Sequence, residues 1–290
     1  GFIYAIEELL HSARPVVLLL VLITTFSADT WADVLGVFGL GSGAKGFQPN
    51  LGFLLERKFP IDVEFFPIDV IYLISLGAVI GVLAELYTRY VLMMQRQGQH
   101  WFGNRLILRM SLSGLVLGSV YAALPSSFHN LDELFHVIGS SETGVTQALA
   151  GFVVLFFSTG LAAASGAPGG LFMPMLTLGG AMGLACGDWV QSITGHLPNT
   201  YVFAGMGAFV AGCSRTPITA MFLAFALVKD LLILKPILVA CLTSFLIARL
   251  FSPHSIYERQ MSMEAADEKR TRAQINQKNS KQISKINKSD

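Results

Sequence analysis

Charged side chains are scarce in this chain. Asp, Glu, Lys and Arg make up 13% of its 290 residues, whereas soluble domains carry about 25%. The formal net charge is only +1, and the basic residues are scattered along the sequence. The scarcity of charge excludes an ordinary soluble domain, and the scatter of the basic residues gives no sign of a nucleic-acid partner.

Motifs for metals and nucleotides are also missing. The three cysteines, Cys186, Cys213 and Cys241, are too far apart for a zinc motif, and the six histidines show no paired ligand spacing. The segment Gly41–Gly46 reads G-x-G-x-x-G, but it follows an apolar run and leads into Phe47-Gln48-Pro49 instead of a helix. We therefore predict no metal site and no cofactor. No enzyme activity is expected of the chain either.

Long apolar runs are the dominant feature. Hydrophobic residues make up 53% of the chain, and the mean hydropathy is +0.58. A helix needs roughly 20 apolar residues to cross the hydrocarbon core of a membrane. The sequence therefore predicts an all-α integral membrane protein. Runs of this length begin near Pro15, Ile68, Leu106, Ala148, Leu171, Tyr201 and Leu231.

Loop charges predict the orientation, because Lys and Arg concentrate on the cytoplasmic side. The loop 96–105 is basic, whereas the loop 125–142 carries only acidic charges. From Ser262 the chain becomes polar and rich in Lys and Arg, which is typical of a disordered cytoplasmic tail. We predict a transmembrane domain over residues 1–261 and this tail over 262–290, with the carboxyl terminus in the cytoplasm.

Three further features are predicted to be structural. Glycine pairs four residues apart allow close approach of membrane helices. Glu85 and Arg89 have the spacing of an ion pair on one helix face. Arg215, in a tight turn beside Pro217, is predicted to anchor at the membrane interface, and attraction of anions is the alternative. The glycine pairs are Gly77/Gly81, Gly114/Gly118, Gly179/Gly183 and Gly183/Gly187.

A break between two apolar runs is the strongest candidate site. Ser165–Pro174 contains three glycines and two prolines at predicted membrane depth. Irregular backbone at that depth is tolerated only where it is buried in protein or lines an aqueous cavity. If a helix begins within Gly169–Pro174, its free N–H groups and about half a unit of positive charge form an anion site. A simple proline kink in a buried helix is the alternative.

The same residues carry a family resemblance. Ser165–Pro174 reads S-G-A-P-G-G-L-F-M-P, which resembles the S-G-A-P-G-G-I-F-A-P signature of the chloride channel/transporter (CLC) family. Gly1–Leu9 (G-F-I-Y-A-I-E-E-L), Gly205–Thr219 (G-M-G-A followed by S-R-T-P-I-T) and Ser252–Tyr257 (S-P-H-S-I-Y) resemble other family segments in the same order. The resemblance is to prokaryotic members without regulatory carboxyl-terminal domains.

The resemblance implies a fold and an assembly. It implies the CLC inverted-repeat fold with broken and re-entrant helices, of which this chain holds the end of the first repeat and the second repeat. Gly1 lacks the features of a signal peptide and enters an apolar helix almost at once, so we expect an amino-terminally truncated fragment. The resemblance also implies a homodimer in lipid, in the bacterial inner membrane.

Specific residues acquire roles from the resemblance. The amides of Leu171 and Phe172 would bind the anion, and the Tyr257 hydroxyl would donate to it. Glu8 would relay protons, although both Glu7 and Glu8 could instead face water at a helix end. Tyr257 could be an ordinary interfacial tyrosine. The surrounding loop residues of the anion site are Gly169, Gly170, Met173 and Pro174.

The chain also departs from the family pattern. The segments G-S-G-I-P and G-R-E-G-P, which supply an anion-binding serine and a gating glutamate, are absent from this sequence. Ala226 stands where the family usually has a glutamate, and Met173 replaces the usual alanine of the signature. Both changes bear on ion preference, and neither removes a predicted ligand.

The presence of Glu8 favours transport of chloride in exchange for protons. A passive chloride channel and a fluoride/proton exchanger remain as alternatives. A non-transporting structural or interaction subunit is the alternative of another class, because part of the predicted ion path is missing from this sequence.

Overall fold

The computed structural model describes residues 23–24, 27, 69–102, 106–123, 145–166, 170–194, 199–228, 233–266 and 269. These residues form helices and contain no strand. The predicted site residues Glu8 and Gly169, the rejected G-x-G-x-x-G segment Gly41–Gly46, the acidic loop 125–142 and most of the predicted tail lie outside them. The helices are α1 Asp69–Phe102, α2 Leu106–Ala123, α3 Val145–Ser165, α4 Phe172–Thr194, α5 Asn199–Ser214, α6 Pro217–Val228, α7 Leu234–Phe251 and α8 256–266.

The prediction of an all-α membrane protein is confirmed. Asp69–Trp101, Ala148–Ser165 and Leu234–Ala266 are long and apolar enough to cross a membrane. The last of these stretches is interrupted by the non-helical residues 252–255, which separate α7 from α8. The chain divides into two compact units, Gly1–Pro253 and His254–Asp290. The boundary predicted between 261 and 262 stays a prediction, and α8 continues to residue 266.

Helix α5 is the centre of the first unit. Its residues 201–214 are all buried, and it contacts α1, α4, α6 and α7. A helix that is apolar all round is either embedded in lipid or buried in protein; α5 has that composition and is buried in protein. The ring of Tyr87 in α1 lies 5.6 Å from Phe209 of α5 and 5.5 Å from Phe156 of α3, measured between ring centroids. This aromatic cluster joins α3 to the centre.

Glycines bring α4 and α5 into backbone contact. A Cβ atom on Gly179 would lie 2.8 Å from Cα of Met206, and one on Gly183 would lie 2.8 Å from Cα of Val202. The residue numbers of the contact partners increase along α4 while they decrease along α5, so the two helices run antiparallel. The close packing predicted for the pair Gly179/Gly183 is confirmed.

A second glycine pair joins α1 to α7. A Cβ atom on Gly77 would lie 2.7 Å from the Ala240 carbonyl oxygen, and one on Gly81 would lie 2.7 Å from that of Ser244. The residue numbers of the contact partners increase along both helices, so α1 and α7 run in the same direction. The close packing predicted from this spacing is confirmed for Gly77/Gly81.

The pair Gly114/Gly118 in α2 behaves differently. No described atom lies within 4 Å of a Cβ atom built on either glycine. The neighbouring side chains Ile107 and Leu115 are 82% and 69% exposed. The prediction of close packing at Gly114/Gly118 is therefore wrong within the described part of the chain, because this face of α2 turns away from the other described helices.

Candidate functional site

The broken segment does start a helix, as the sequence predicts. The Leu171 carbonyl oxygen accepts the first helical hydrogen bond, from the Met175 N–H at 3.1 Å. Leu171 is therefore the N-cap residue and Phe172 the first residue of α4. The N–H groups of Phe172 and Met173 have no acceptor within the helix. Pro174, at the third position, has no N–H to leave unsatisfied.

The start of α4 is accessible while its continuation is buried. Gly170 is exposed, and no described atom would lie within 4 Å of a Cβ atom there. Residues 171–174 are partly exposed, and residues 175–181 are buried. The free amides therefore lie at a surface of the described structure, where a small anion could approach them.

The preceding helix ends at a glycine. The last residue of α3 is Ser165, and Gly166 follows with φ +70°. The Ser165 carbonyl oxygen accepts a hydrogen bond from Nε of Arg109 in α2 at 2.7 Å. A positive φ favours glycine, and a cation at a helix carboxyl end is electrostatically favourable. Both features fix the point at which the chain leaves α3 towards the site.

Sequence reasoning missed Arg109. Its side chain is buried, although it lies in the first turn of an apolar helix. A charged residue within a membrane segment is expected to have a specific partner, and that signal was present in the sequence. The partner, a backbone carbonyl 56 residues further along the chain, leaves no mark in the sequence.

Gly166→Ala is expected to destabilise the protein by roughly 1–2 kcal/mol, because a residue with a Cβ atom disfavours positive φ by that amount. The added Cβ atom would also overlap the Arg109 guanidinium. The measurement is the apparent unfolding temperature of the purified protein in detergent. Gly170→Ala is the control, and we expect it to change that temperature little, because the added methyl group meets open space. Equal effects of the two substitutions would contradict this account of Gly166.

The turn between α5 and α6 lies at the same end of α5 as the start of α4. Gly179 contacts Gly205, and Gly183 contacts Tyr201. Continuing this antiparallel register towards lower residue numbers in α4 leads to the carboxyl end of α5, where the turn begins. Two of the four segments that resemble the family, Ser165–Pro174 and Gly205–Thr219, therefore meet at one end of the first unit.

Arg215 in this turn is buried, so the prediction of an interfacial anchor is wrong. Its side chain is 7% exposed, and its Nη2 atom lies 2.7 Å from Oε2 of Glu85, whose side chain is 4% exposed. The other carboxylate oxygen of Glu85 accepts from Nε of Arg89 at 2.9 Å, which confirms the predicted pair on α1. Arg215 is drawn inward because a buried carboxylate lies within its reach.

Arg215 also holds the carboxyl end of α7. Its Nη2 donates to the Ala248 carbonyl oxygen at 3.0 Å, and its Nε donates to that of Ser252 at 3.3 Å. The Ala248 carbonyl oxygen also accepts the Ser252 N–H at 3.2 Å, so Arg215 is its second donor, and a cation at the carboxyl end of a helix is electrostatically favourable. Arg215 thus connects α1, the α5–α6 turn and the end of α7.

Tyr257 lies in the second unit, near the start of α8. The Ser255 hydroxyl accepts the Glu258 N–H at 3.1 Å, and a Glu258 carboxylate oxygen accepts the Ser255 N–H at 3.1 Å. This reciprocal pair is a capping box, which defines the helix start. Tyr257 is the second residue of α8 and is partly exposed. Its predicted contact with the anion stays a prediction.

The fold and the site define a class: a helical membrane protein whose helices break at a glycine-rich segment and expose helix amides. A profile of the family described as "Voltage gated chloride channel" matches residues 1–249. The chain therefore belongs to the voltage-gated chloride channel (CLC) family, which confirms the family indicated by the sequence.

Curated relatives are transporters. The chain is 30% identical over 200 residues to an H(+)/Cl(-) exchange transporter ClcA of Cronobacter sakazakii, and 27% identical over 219 residues to that of Salmonella typhimurium. These alignments cover 66% and 73% of this chain, and 42% and 46% of the relatives. The chain thus spans less than half the length of either relative.

Solved structures share the fold. A slow cyanobacterial Cl-/H+ antiporter superposes with a TM-score of 0.63 at 24% identity, covering 71% of this chain and 49% of the antiporter chain. A eukaryotic CLC transporter superposes with a TM-score of 0.57 at 21% identity, covering 71% of this chain and 37% of the other. The prediction of a partial CLC fold is confirmed.

Proposed function

We propose that the protein carrying this chain exchanges chloride for protons across a membrane. The observation that carries the proposal is the accessible start of α4, where the amides of Phe172 and Met173 have no acceptor within their helix. Membership of the family and the chloride/proton exchange for which the ClcA relatives are named support it. The protein is a transporter in this proposal, with no enzymatic step.

Neutral amides suit a transported ion. The helix start presents a partial positive charge without a cationic side chain, so an anion can be held and then released. We further propose that the amide of Leu171 and the hydroxyl of Tyr257 complete the anion's coordination, and that Gly169, Gly170, Met173 and Pro174 shape the loop around it. Glu8 carries protons in this scheme. The resemblance of their segments to the family supports these roles.

The assembly and its orientation follow the same reasoning. We propose a homodimer in the bacterial inner membrane with the carboxyl terminus in the cytoplasm. The basic loop 96–105 supports this orientation. The bacterial origin of the ClcA relatives supports the choice of membrane.

A flux experiment on the complete gene product tests the proposal. The purified protein is reconstituted in liposomes with a chloride gradient, and chloride release and proton movement are recorded together. We expect chloride leaving down its gradient to drive protons uphill in the opposite direction. Chloride flux without proton movement would indicate a channel, and absence of any flux a non-transporting subunit. A parallel assay with a fluoride gradient tests the remaining alternative, because flux of fluoride alone would indicate a fluoride exchanger.

Glu8→Gln is expected to abolish proton movement while chloride flux continues, because the amide cannot take up and release a proton. Glu7→Gln is the matched control, since it makes the same chemical change one residue away, and successive residues of an ideal helix point about 100° apart. Unchanged coupling in Glu8→Gln, or equal loss in both variants, would contradict the assigned relay.

A further inference from the structure

The buried ion pair between Glu85 and Arg215 is costly, so its presence calls for an explanation. Removing charges from water is unfavourable, and a buried ion pair is weak evidence for stability. Arg215 also has φ 64°, a backbone conformation that a side chain disfavours. Strain of this kind persists where the surroundings over-determine it, and it clusters at functional sites.

The pair fixes two carbonyl groups at the end of α7. Glu85 lies on α1, and its Oε2 atom accepts a hydrogen bond from Nη2 of Arg215 at 2.7 Å. The same nitrogen reaches the Ala248 carbonyl oxygen, and Nε reaches that of Ser252. Ser252 is the C-cap of α7 and has extended backbone, with φ −160°. It is therefore the residue at which the chain leaves the helix, and Arg215 holds it in place.

The Glu85–Arg215 pair lies at the same end of the first unit as the proposed anion site. Arg215 follows directly after the last residue of α5, Ser214. The antiparallel register of α4 on α5 brings the start of α4 to that same end. The carboxyl end of α7 and the start of α4 thus both lie beside the same short segment of backbone, the carboxyl end of α5.

We propose that Glu85 and Arg215 are positioning residues for the anion path. They hold the carboxyl end of α7 against the carboxyl end of α5, the end at which α4 begins, and so fix the backbone beside which the amides at the start of α4 lie. Neither residue touches the ion in this scheme. The inference rests on the proposed function, because it assigns the pair a role only if the α4 start binds an anion.

The competing explanation is that the pair, like a strut, only stabilises the fold. The two explanations differ in the property that a substitution changes. A strut affects how much protein folds, whereas a positioning pair also alters anion affinity in the protein that does fold. Both chloride affinity and thermal stability must therefore be measured on the same samples. Chloride is the probe, titrated calorimetrically into the complete protein in detergent.

Glu85→Gln and Arg215→Lys are the test variants. The first removes the charge and keeps a hydrogen-bond acceptor, and the second keeps the charge and loses the planar fork that binds three partners. We expect each to weaken chloride binding by roughly two- to thirtyfold, the range that corresponds to coupling of about 0.5–2 kcal/mol from residues that do not touch the ligand. Unaltered affinity in folded variants, with only the unfolding temperature lowered, would overturn the proposal.

Asp69→Asn is the matched control. Asp69 is a second buried carboxylate on α1, and it accepts the Tyr201 hydroxyl at 3.2 Å, near the opposite end of α5. We expect it to lower stability without changing chloride affinity. If it weakened binding as much as Glu85→Gln, the effect would be a general consequence of altering a buried acid, and the specific role of the pair would be rejected.

Glu85→Asp keeps the test decisive if Glu85→Gln does not fold. It retains the charge and withdraws it by one methylene group, so the pair with Arg215 must lengthen or shift Ser252. We expect folded protein with measurably weaker chloride binding, and wild-type affinity would overturn the proposal. Wild-type protein that binds no chloride would reject the proposed function itself, which distinguishes the two failures.

Discussion

Gly205→Ala is expected to destabilise the protein by roughly 3 kcal/mol or more, at the upper end of the cost of overpacking a core. A Cβ atom on Gly205 would meet the Gly179 carbonyl oxygen and would lie 2.8 Å from Cα and 3.0 Å from N of Gly183. These are backbone atoms, so no side-chain rotation relieves the clash. Helices α4 and α5 would have to separate, which would disturb the whole centre of the first unit. Because a domain of this size loses about 2–4 °C per kcal/mol, the apparent unfolding temperature should fall by roughly 6–12 °C or more.

Gly118→Ala makes the same chemical change on another apolar helix, α2, but we do not expect it to destabilise the protein. No described atom lies within 4 Å of the added methyl group. Alanine is favoured over glycine in a helix by about 1 kcal/mol, so the unfolding temperature should stay the same or rise slightly. Purification of both variants in detergent, followed by thermal unfolding, gives the comparison. Similar behaviour of the two variants would show that glycine content, not backbone contact, governs stability here.

The sequence predicted the glycine contacts only in part, and the reason is physical. A spacing of four places two small residues on one helix face and makes close approach possible. It does not say whether a neighbouring helix occupies that face. Gly77/Gly81 and Gly179/Gly183 contact neighbouring backbone, whereas Gly114/Gly118 face open space in the described structure. The helix breaks were more predictable, because prolines and glycines act through local backbone geometry.

The candidate site likewise contains local features that the sequence predicts and long-range contacts that it does not. The start of α4 was predictable, since a helix that begins at Phe172 follows from glycines before it and an apolar run after it. The pair of Glu85 with Arg89 was also predictable from a separation of four residues. The pair of Glu85 with Arg215 spans 130 residues, and it forms because α1 and α5 lie side by side. Long-range pairing of this kind depends on packing that a single sequence does not reveal.

Phe172→Pro is expected to weaken anion binding by roughly 10- to 100-fold while the helix is retained. Proline has no N–H, and a hydrogen bond to a charged group contributes about 1.5–3 kcal/mol. Phe172 is the first residue of α4, a position that proline favours because its fixed φ suits a helix start. The extended backbone that proline imposes on the preceding residue is the conformation typical of an N-cap, the role that Leu171 has. The substitution should therefore remove a donor without removing the helix.

Phe172→Ala separates the amide from the ring. It deletes the same aromatic side chain but keeps the N–H group, so any difference in chloride affinity between the two variants reports the amide and the restricted φ. Calorimetric titration of the complete protein with chloride measures both variants. We expect alanine to bind chloride much more tightly than proline does, because the backbone donor remains. Equal affinities in two folded variants would place the anion elsewhere, and the start of α4 would then be only a kinked helix, the alternative that the prolines of the segment allow.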